Sequence, residues 1–243
     1  MKTYGLIGYP LSHSFSKKYF TEKFLKEGIT DARYELFPLS DIMELKALLD
    51  SRSDLCGLNV TIPYKEQVSS FLHNKSEVVA ATGACNCILI KEGKLTGFNT
   101  DVTGFEKSLL TLWKPSQKKA LVLGTGGASK AVLFVLKKLG VESTVVSRNP
   151  GNGSITYSDV TPGMVQDHLL IINTTPVGMY PQIEDCPPLV YDAIGSGHFL
   201  FDLIYNPEKT LFLKQGEERG AAIKNGYEML EIQAEESWKI WKQ

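Results

Sequence analysis

The chain has no long apolar run. No window approaches the roughly 20 residues that a membrane helix needs. The N-terminal stretch MKTYGLIGYPLSHS is interrupted by Ser12-His13-Ser14 before a secretion signal could form. Neither a membrane span nor a leader is expected, and the expected location is the cytoplasm. An excess of either charge is also missing. Lys and Arg number 26 and Asp and Glu 27, a formal net charge of -1, so no global field draws in nucleic acid or a membrane surface. Histidine and cysteine are sparse, at four each. His13, His73, His168 and His198 stand singly. Of Cys56, Cys85, Cys87 and Cys186, the middle two alternate on an expected strand and should face the same way. No second Cys or His pair stands at ligand spacing, so packed, reduced thiols are expected, with no metal and no disulfide. Repeats, low-complexity tracts and blocks of like charge are absent as well.

What is present is a pattern of alternating elements. YGLIGY reads as a strand, Phe15 to Lys26 as a helix, ARYELFPL as a strand, and Asp41 to Leu49 as a helix. LCGLNVTI is a third strand. CNCILI, the KEGK turn and LTGF suggest a hairpin. A second unit begins near Asp101 with a helix over Thr103 to Trp113. It continues with KKALVLGTGGASKAVLFVLKKLG, a strand, a glycine turn and an amphipathic helix. STVVS, LLIINT and HFLFDL read as parallel strands buried on both faces. Gly226 to Gln243 has helical spacing. The pattern predicts an α/β protein with mostly parallel sheets. The boundary falls at Asn99 to Val102, and the terminal helix is expected to return to the first domain.

The glycine turn, Gly124-Thr125-Gly126-Gly127-Ala128, has the strand before it and the helix after it that a dinucleotide fingerprint requires. Gly124 permits the tight turn, and Gly126 lets the backbone approach a pyrophosphate at the helix N-terminus. The third position is Ser129 rather than Gly. A plain strand-to-helix turn would use the same glycines. The next strand ends in Ser147-Arg148-Asn149, without the acid that holds the ribose of NAD. A guanidinium suits the 2′-phosphate of NADP, although a solvated surface arginine is the alternative.

Three polar segments follow strands of the first domain: Ser12-His13-Ser14-Phe15-Ser16, Asn59-Val60-Thr61-Ile62-Pro63-Tyr64-Lys65, and Asn86 with Asn99-Thr100-Asp101. Their hydroxyls, amides, ammonium and carboxylate suit a polyhydroxylated small molecule. Each residue also has a structural role open to it. Ser14, Ser16 or Asp101 could cap a helix, Asn59 and Thr61 could satisfy a turn, and Lys65 could lie on a solvated face.

Gly8-Tyr9-Pro10-Leu11-Ser12-His13-Ser14 with Ser16, Asn59 through Lys65, Gly83-Ala84 with Asn86, Asn99-Thr100-Asp101, the glycine turn, Asn173-Thr174-Thr175-Pro176-Val177-Gly178-Met179, and Asn225-Gly226 with Met229-Leu230 and Gln233 resemble the shikimate dehydrogenase family. The resemblance is collinear over nearly the whole chain. It implies reversible reduction of 3-dehydroshikimate to shikimate with NADPH, in chorismate and aromatic amino-acid biosynthesis. It also implies two domains with the site in the cleft between them. A substrate domain would span 1–101, completed by helix 226–243, and a Rossmann-like NADP domain would span 102–225. Lys65 and Asp101 would be the catalytic pair. Ser14 and Ser16 would bind the substrate carboxylate, and Asn59, Thr61, Asn86, Asp101 and Gln233 the ring hydroxyls, with Tyr205 a further contact. Gly124, Thr125, Gly126, Gly127, Ala128, Ser147 and Arg148 would hold the cofactor, and Thr174, Met179, Leu203 and Gly226 would line its nicotinamide end.

Two segments depart from the family pattern. Cys87 stands where Thr is usual, and Ser147-Arg148-Asn149 replaces the usual Asn-Arg-Thr, with no further basic residue before Lys209. A quinate/shikimate dehydrogenase using NAD is the enzymatic alternative, and a non-catalytic dinucleotide-binding protein the other. The latter should have lost Lys65 or Asp101, and both are present. No nucleic-acid or membrane partner is expected, and a monomer or a homodimer would both fit.

Overall fold

Short buried strands alternate with amphipathic helices to build two sheets. The computed structural model describes residues 1–11, 14–149, 151 and 153–243. Ser12 and His13 of the first polar segment, and Pro150 of the loop after Asn149, lie outside the described residues. The elements run β1 (Lys2–Gly8), α1 (Phe15–Lys26), β2 (Ala32–Pro38), α2 (Glu44–Ser51), β3 (Leu55–Val60), β4 (Asn74–Lys75), α3 (Glu77–Thr82), β5 (Cys87–Lys91), β6 (Lys94–Phe98) and α4 (Thr100–Leu110). They continue with β7 (Lys119–Leu123), α5 (Gly127–Lys138), β8 (Glu142–Val146), α6 (Pro162–Asp167), β9 (Leu170–Asn173), β10 (Phe199–Asp202), α7 (Leu211–Glu217), β11 (Ala222–Lys224) and α8 (Tyr227–Trp241). Among the described residues no helix is long and apolar enough to cross a membrane.

The chain divides into two units, one of residues 1–100 with 234–243 and the other of residues 101–233. The first holds a six-stranded sheet in the order β2-β1-β3-β5-β6-β4. Its β1, β2 and β3 run parallel, and β5 is antiparallel to both β3 and β6. The sheet carries a core on each face. Ile7, Leu58, Val60 and Ile88 belong to one, and Tyr4, Leu6, Phe20, Cys87 and Trp238 to the other. Cys85 packs with Ile88, on the face opposite Cys87. The expectation that both thiols face the same way fails because alternation holds only within an extended strand. The chain bends at Asn86, and the strand starts at Cys87.

The second unit holds a five-stranded, wholly parallel sheet in the order β11-β10-β9-β7-β8. Strands β7, β9 and β10 are almost entirely buried, as helix-covered parallel strands should be. Their core includes Leu121, Leu123, Ile171, Leu200 and Phe212.

Helix α8 is shared between the units, whereas the sequence reading assigned 226–243 to the first domain alone. Its first turns are tied into the second unit. Ser108 donates to Glu228 at 2.9 Å, and Gly104 lies so close that a Cβ there would stand 2.6 Å from the Met229 carbonyl oxygen. Its last turns bury Trp238 and Trp241 against Tyr4, at ring separations of 5.3 and 4.9 Å. The Trp241 indole N–H also donates to the Ile88 carbonyl at 3.0 Å. Trp241→Ala should therefore destabilise the first unit by about 3–5 kcal/mol, the usual cost of removing a buried tryptophan. Urea unfolding followed by far-ultraviolet circular dichroism measures it, and a loss below about 1 kcal/mol would mean that this helix end does not anchor the sheet.

Candidate active site

In the first unit, strand register gathers the polar segments on one edge. Leu6 and Ile7 pair with Asn59 and Val60, Asn59 pairs with Cys87, and Cys87 with Phe98. The carboxyl ends of β1, β3 and β6 and the amino end of β5 therefore lie side by side. Ser14 and Ser16, Asn59, Thr61 and Lys65, Asn86, and Asn99-Thr100 all leave the sheet there.

A buried hydrogen-bond network joins them. Ser16 donates to the Tyr34 hydroxyl, which donates to Asn59 Oδ1 at 2.8 Å. Asn59 Nδ2 donates to the Asn86 carbonyl at 3.2 Å and to Ser237 Oγ at 2.9 Å. Ser237 Oγ lies 3.2 Å from Thr100 Oγ1, which accepts from Asn86 Nδ2 at 3.0 Å. The Thr100 amide closes the ring by donating to Asn86 Oδ1 at 2.6 Å. Burial pushes the Tyr34 phenol well above its usual range, against the opposing effect of the Ser16 bond, so it stays a neutral donor. Asn59 thus commits both amide hydrogens and one lone pair to the protein itself, which makes it a strut of the site. Sequence reasoning missed Tyr34 and Ser237. Each looks like an ordinary residue of its own element, and their partners lie 25 and 178 positions away.

Two buried oxygens differ from this satisfied network. Ser14 precedes α1 in extended backbone, but its hydroxyl makes no capping bond. Ser14 Oγ and Asn99 Oδ1 are both buried without a hydrogen-bond partner among the described residues. An unmade bond at a buried polar atom costs about 1–3 kcal/mol, so Ser14 does not have the capping role that its position suggested. Thr61 packs across Gly8, where a Cβ would stand 2.4 Å from its methyl. Lys65 lies in the turn ahead of the 3-10 helix Gln67–Phe71, its backbone held by the Cys85 amide at 2.7 Å. Asp101 belongs to the second unit and is the second residue of α4, inside the helix rather than capping it. Gln233 also belongs to that unit. It sits where α8 crosses Gly104, one turn along α4 from Asp101.

In the second unit every expected cofactor residue follows the carboxyl end of a parallel strand. Gly124 follows β7, Ser147 and Arg148 follow β8, Thr174 follows β9, Leu203 follows β10 and Gly226 follows β11 shortly after its end. Strands β8 and β9 flank β7 on either side, so the chain order reverses at the glycine turn, the place where open parallel sheets hold ligands. Gly124 has φ +108°, and a Cβ would meet Thr174 Oγ1 at 2.8 Å. Thr174 Oγ1 in turn donates to the Leu123 carbonyl at 2.6 Å. Gly226 backs onto Leu203, where a Cβ would lie 2.1 Å from the carbonyl oxygen. Gly126 is different. It caps α5 in extended backbone, is exposed, and a Cβ there would meet nothing within 4 Å. Ser129, at the third fingerprint position, is buried and donates to the Gly126 carbonyl at 2.6 Å, so its hydroxyl pins the turn. Arg148 is exposed in the turn after β8, and Met179 is 45% exposed beyond Thr174. An anion over the α5 N-terminus would face the first amide groups of the helix across the open space at Gly126, so these residues fit a dinucleotide.

Residues 6–88 match the family model described as the shikimate dehydrogenase substrate binding domain. A curated relative from Clostridium beijerinckii named "Shikimate dehydrogenase (NADP(+))" is 38% identical, covering 100% of this chain and 93% of its own. One of the same name from Caldanaerobacter subterraneus subsp. tengcongensis is 36% identical, covering 99% of this chain and 91% of its own. The solved structure of shikimate 5-dehydrogenase from Thermus thermophilus in complex with NADP(H) and shikimate superposes with a TM-score of 0.88 at 30% identity, covering 99% of this chain and 93% of that one. Likeness at this level, sustained through both units, makes this chain a member of the shikimate dehydrogenase family.

Proposed function

We propose that this protein is an NADP-dependent oxidoreductase that interconverts 3-dehydroshikimate and shikimate. The observation that carries the reading is the edge of the second unit, where five strand ends present the glycine turn, Ser147-Arg148, Thr174, Leu203 and Gly226 together. NADPH, when bound, supplies the hydride. The protein's own contribution is to bind, orient and move a proton. Ser14 and Ser16 take the substrate carboxylate through hydroxyl donors. Thr61, Asn86, Gln233 and Tyr205 hold ring hydroxyls, and Asn59 acts mainly by fixing Asn86 and Ser237. Lys65 and Asp101 are the catalytic residues. The Lys65 ammonium gives a proton to the carbonyl oxygen in reduction, and the amine takes it back in oxidation. Arg148 favours NADP over NAD through the 2′-phosphate. Mixing the purified protein with shikimate and either oxidised cofactor tests this directly. Absorbance at the NADPH band should rise with NADP and far less with NAD, and no rise with either would refute the assignment.

Three substitutions separate the roles. Gly126→Val places a side chain in open space at an ordinary backbone conformation, so the fold should be kept, with a loss of about 1 kcal/mol for the poorer helix cap. NADP binding should nevertheless be lost, because the side chain occupies the pyrophosphate's approach. A variant that keeps its NADP affinity by calorimetry would leave Gly126 a plain turn residue. Ser14→Ala removes a donor to a charged group and should weaken shikimate binding by about 1–3 kcal/mol without loss of stability, since no cap is broken. Unchanged shikimate affinity would assign the carboxylate elsewhere. Lys65→Met keeps the stem and removes the charge. Turnover should fall by about 10²–10⁴ while shikimate affinity changes far less. Near-normal turnover in steady-state kinetics, with binding measured on the same preparation, would make the ammonium a bystander.

A further inference from the structure

Asp202 ends β10 with no accessible surface, and among the described residues it pairs with no cation. Its carboxylate takes three neutral donors. Oδ1 accepts from Asn173 Nδ2 at 3.1 Å and from the Ile204 amide at 3.0 Å, and Oδ2 accepts from Thr210 Oγ1 at 2.6 Å. Each donor leads to a different loop of the cofactor edge. Asn173 Oδ1 accepts from the amide and hydroxyl of Thr175, at 3.0 and 2.6 Å, and Thr175 Oγ1 accepts from the Val177 amide at 3.2 Å. The segment that carries Thr174 and leads to Met179 is thereby folded onto Asn173. Ile204 fixes the chain after Leu203, and its carbonyl accepts from the Gly226 amide at 3.0 Å. Thr210 caps α7 through the Leu213 amide and lies against Gly178.

We infer that Asp202 is a positioning residue for the nicotinamide end of the cofactor: its two oxygens lock the Thr174–Met179 loop, the Leu203–Tyr205 loop and the Thr210 cap into one arrangement. Stability alone does not favour a carboxylate here. Burial, opposed by the three hydrogen bonds, pushes its pKa up to about 7, so the charged form is costly. What a carboxylate supplies is two acceptor oxygens on a short stem. Asparagine has one oxygen, and would have to turn its NH₂ toward Thr210. Asp202 has no accessible surface to offer a ligand, so its effect must pass through the loops. The side chains it orients are those that the cofactor reading needs, on a unit whose other expected ligand groups come from separate strand ends.

This inference rests on the reading that the second unit binds NADP, and its test keeps the two apart. NADP⁺ and shikimate affinities are measured separately by calorimetry on the full chain for Asp202→Ala, Asp202→Asn and Gly126→Val. Asp202→Ala should weaken NADP⁺ by about tenfold or more, since loosened loops misplace every group they carry. Shikimate affinity should fall by about threefold at most, because of its expected contacts only Tyr205 lies on these loops and the others are untouched. Asp202→Asn keeps the Oδ1 bonds and can donate to Thr210, so it should restore NADP⁺ affinity to within about threefold of the parent. If Asp202→Ala does not fold, Thr210→Val keeps the shape and deletes the Oδ2 bond together with the α7 cap that this bond orients, and should weaken NADP⁺ in the same sense by about threefold or more. Unchanged NADP⁺ affinity in the folded variant, equal losses for both ligands, or no rescue by asparagine would each overturn the inference. If Gly126→Val also leaves NADP⁺ binding intact, the cofactor reading itself falls. If only Gly126→Val loses binding, the cofactor reading stands and the positioning role alone is lost.

Discussion

Parallel strands joined by right-handed crossovers must all finish on the same edge of their sheet, because each helix carries the chain back to the starting edge before the next strand begins. The consequence for the second unit is geometric. Gly124 and Gly226 are separated by about a hundred positions in sequence, yet they leave one sheet on one side, with Thr174 and Leu203 between them. No individual contact is needed to bring them there. The strand order β11-β10-β9-β7-β8 adds one further fact, the reversal of direction at β7, which leaves a crevice that no crossover covers. The first unit obeys the same rule for β1 and β3. It breaks the rule at the antiparallel β5, whose amino end therefore joins the edge that carries the candidate site residues and brings Asn86 with it.

Once polar groups are gathered on such an edge and partly buried, each of them has to be satisfied. The first unit does this with the Ser16-Tyr34-Asn59-Ser237-Thr100-Asn86 network, in which the donor capacity of one side chain fixes the orientation of the next. Such a network specifies geometry more than it adds stability, since every bond replaces one made to water in the unfolded chain. Its value is that Asn86 and Ser16 have their orientations set before any ligand arrives. The last turns of α8 are part of this arrangement, because Ser237 can reach Asn59 only while Trp238 and Trp241 are seated on the sheet.

Local chemistry made much of this legible. The apolar runs of β7, β9 and β10, the exact span of α1, the KEGK hairpin and the glycine turn are all written in short windows of sequence. Elements that depend on tertiary support were not: β4 has two residues, α3 and α6 six each, and β11 only three. Strong period does not develop over such lengths, and their stability comes from neighbours. The family motifs pointed to Ser14, Lys65 and Gly126 directly. Tyr34, Ser237 and Asp202 were invisible for a different reason. Each acts through a partner far away in sequence, and nothing in its own window marks it. The sharing of α8 between units was equally hidden, because Gly104 against Met229 and Trp241 against Tyr4 are packing facts about one continuous helical period.

Residues that break a local rule are informative when the rest of the fold obeys it. Ser14 is placed as a cap and does not cap. Asn99 keeps a buried carbonyl oxygen without a partner among the described residues, although its amide donates to the Ala84 carbonyl at 2.9 Å. Asp202 holds a carboxylate among neutral donors where a neutral side chain would cost less. Gly126 lacks a side chain where the protein has room for one and the backbone would accept it. Gly124 and Gly226, by contrast, are explained by backbone angle or by contact with Thr174 and Leu203. Gly151 and Gly195 share the open space of Gly126, but neither stands between a buried parallel strand and a helix N-terminus. Apart from the Trp238 indole nitrogen, which is buried in the aromatic core without a partner among the described residues, these exceptions lie on the sheet edges that carry the candidate site residues. Folding alone gives no reason for their placement, whereas a substrate group that hydrogen-bonds Ser14 in the first unit, and separately a cofactor group in the space above Gly126 in the second, would account for them.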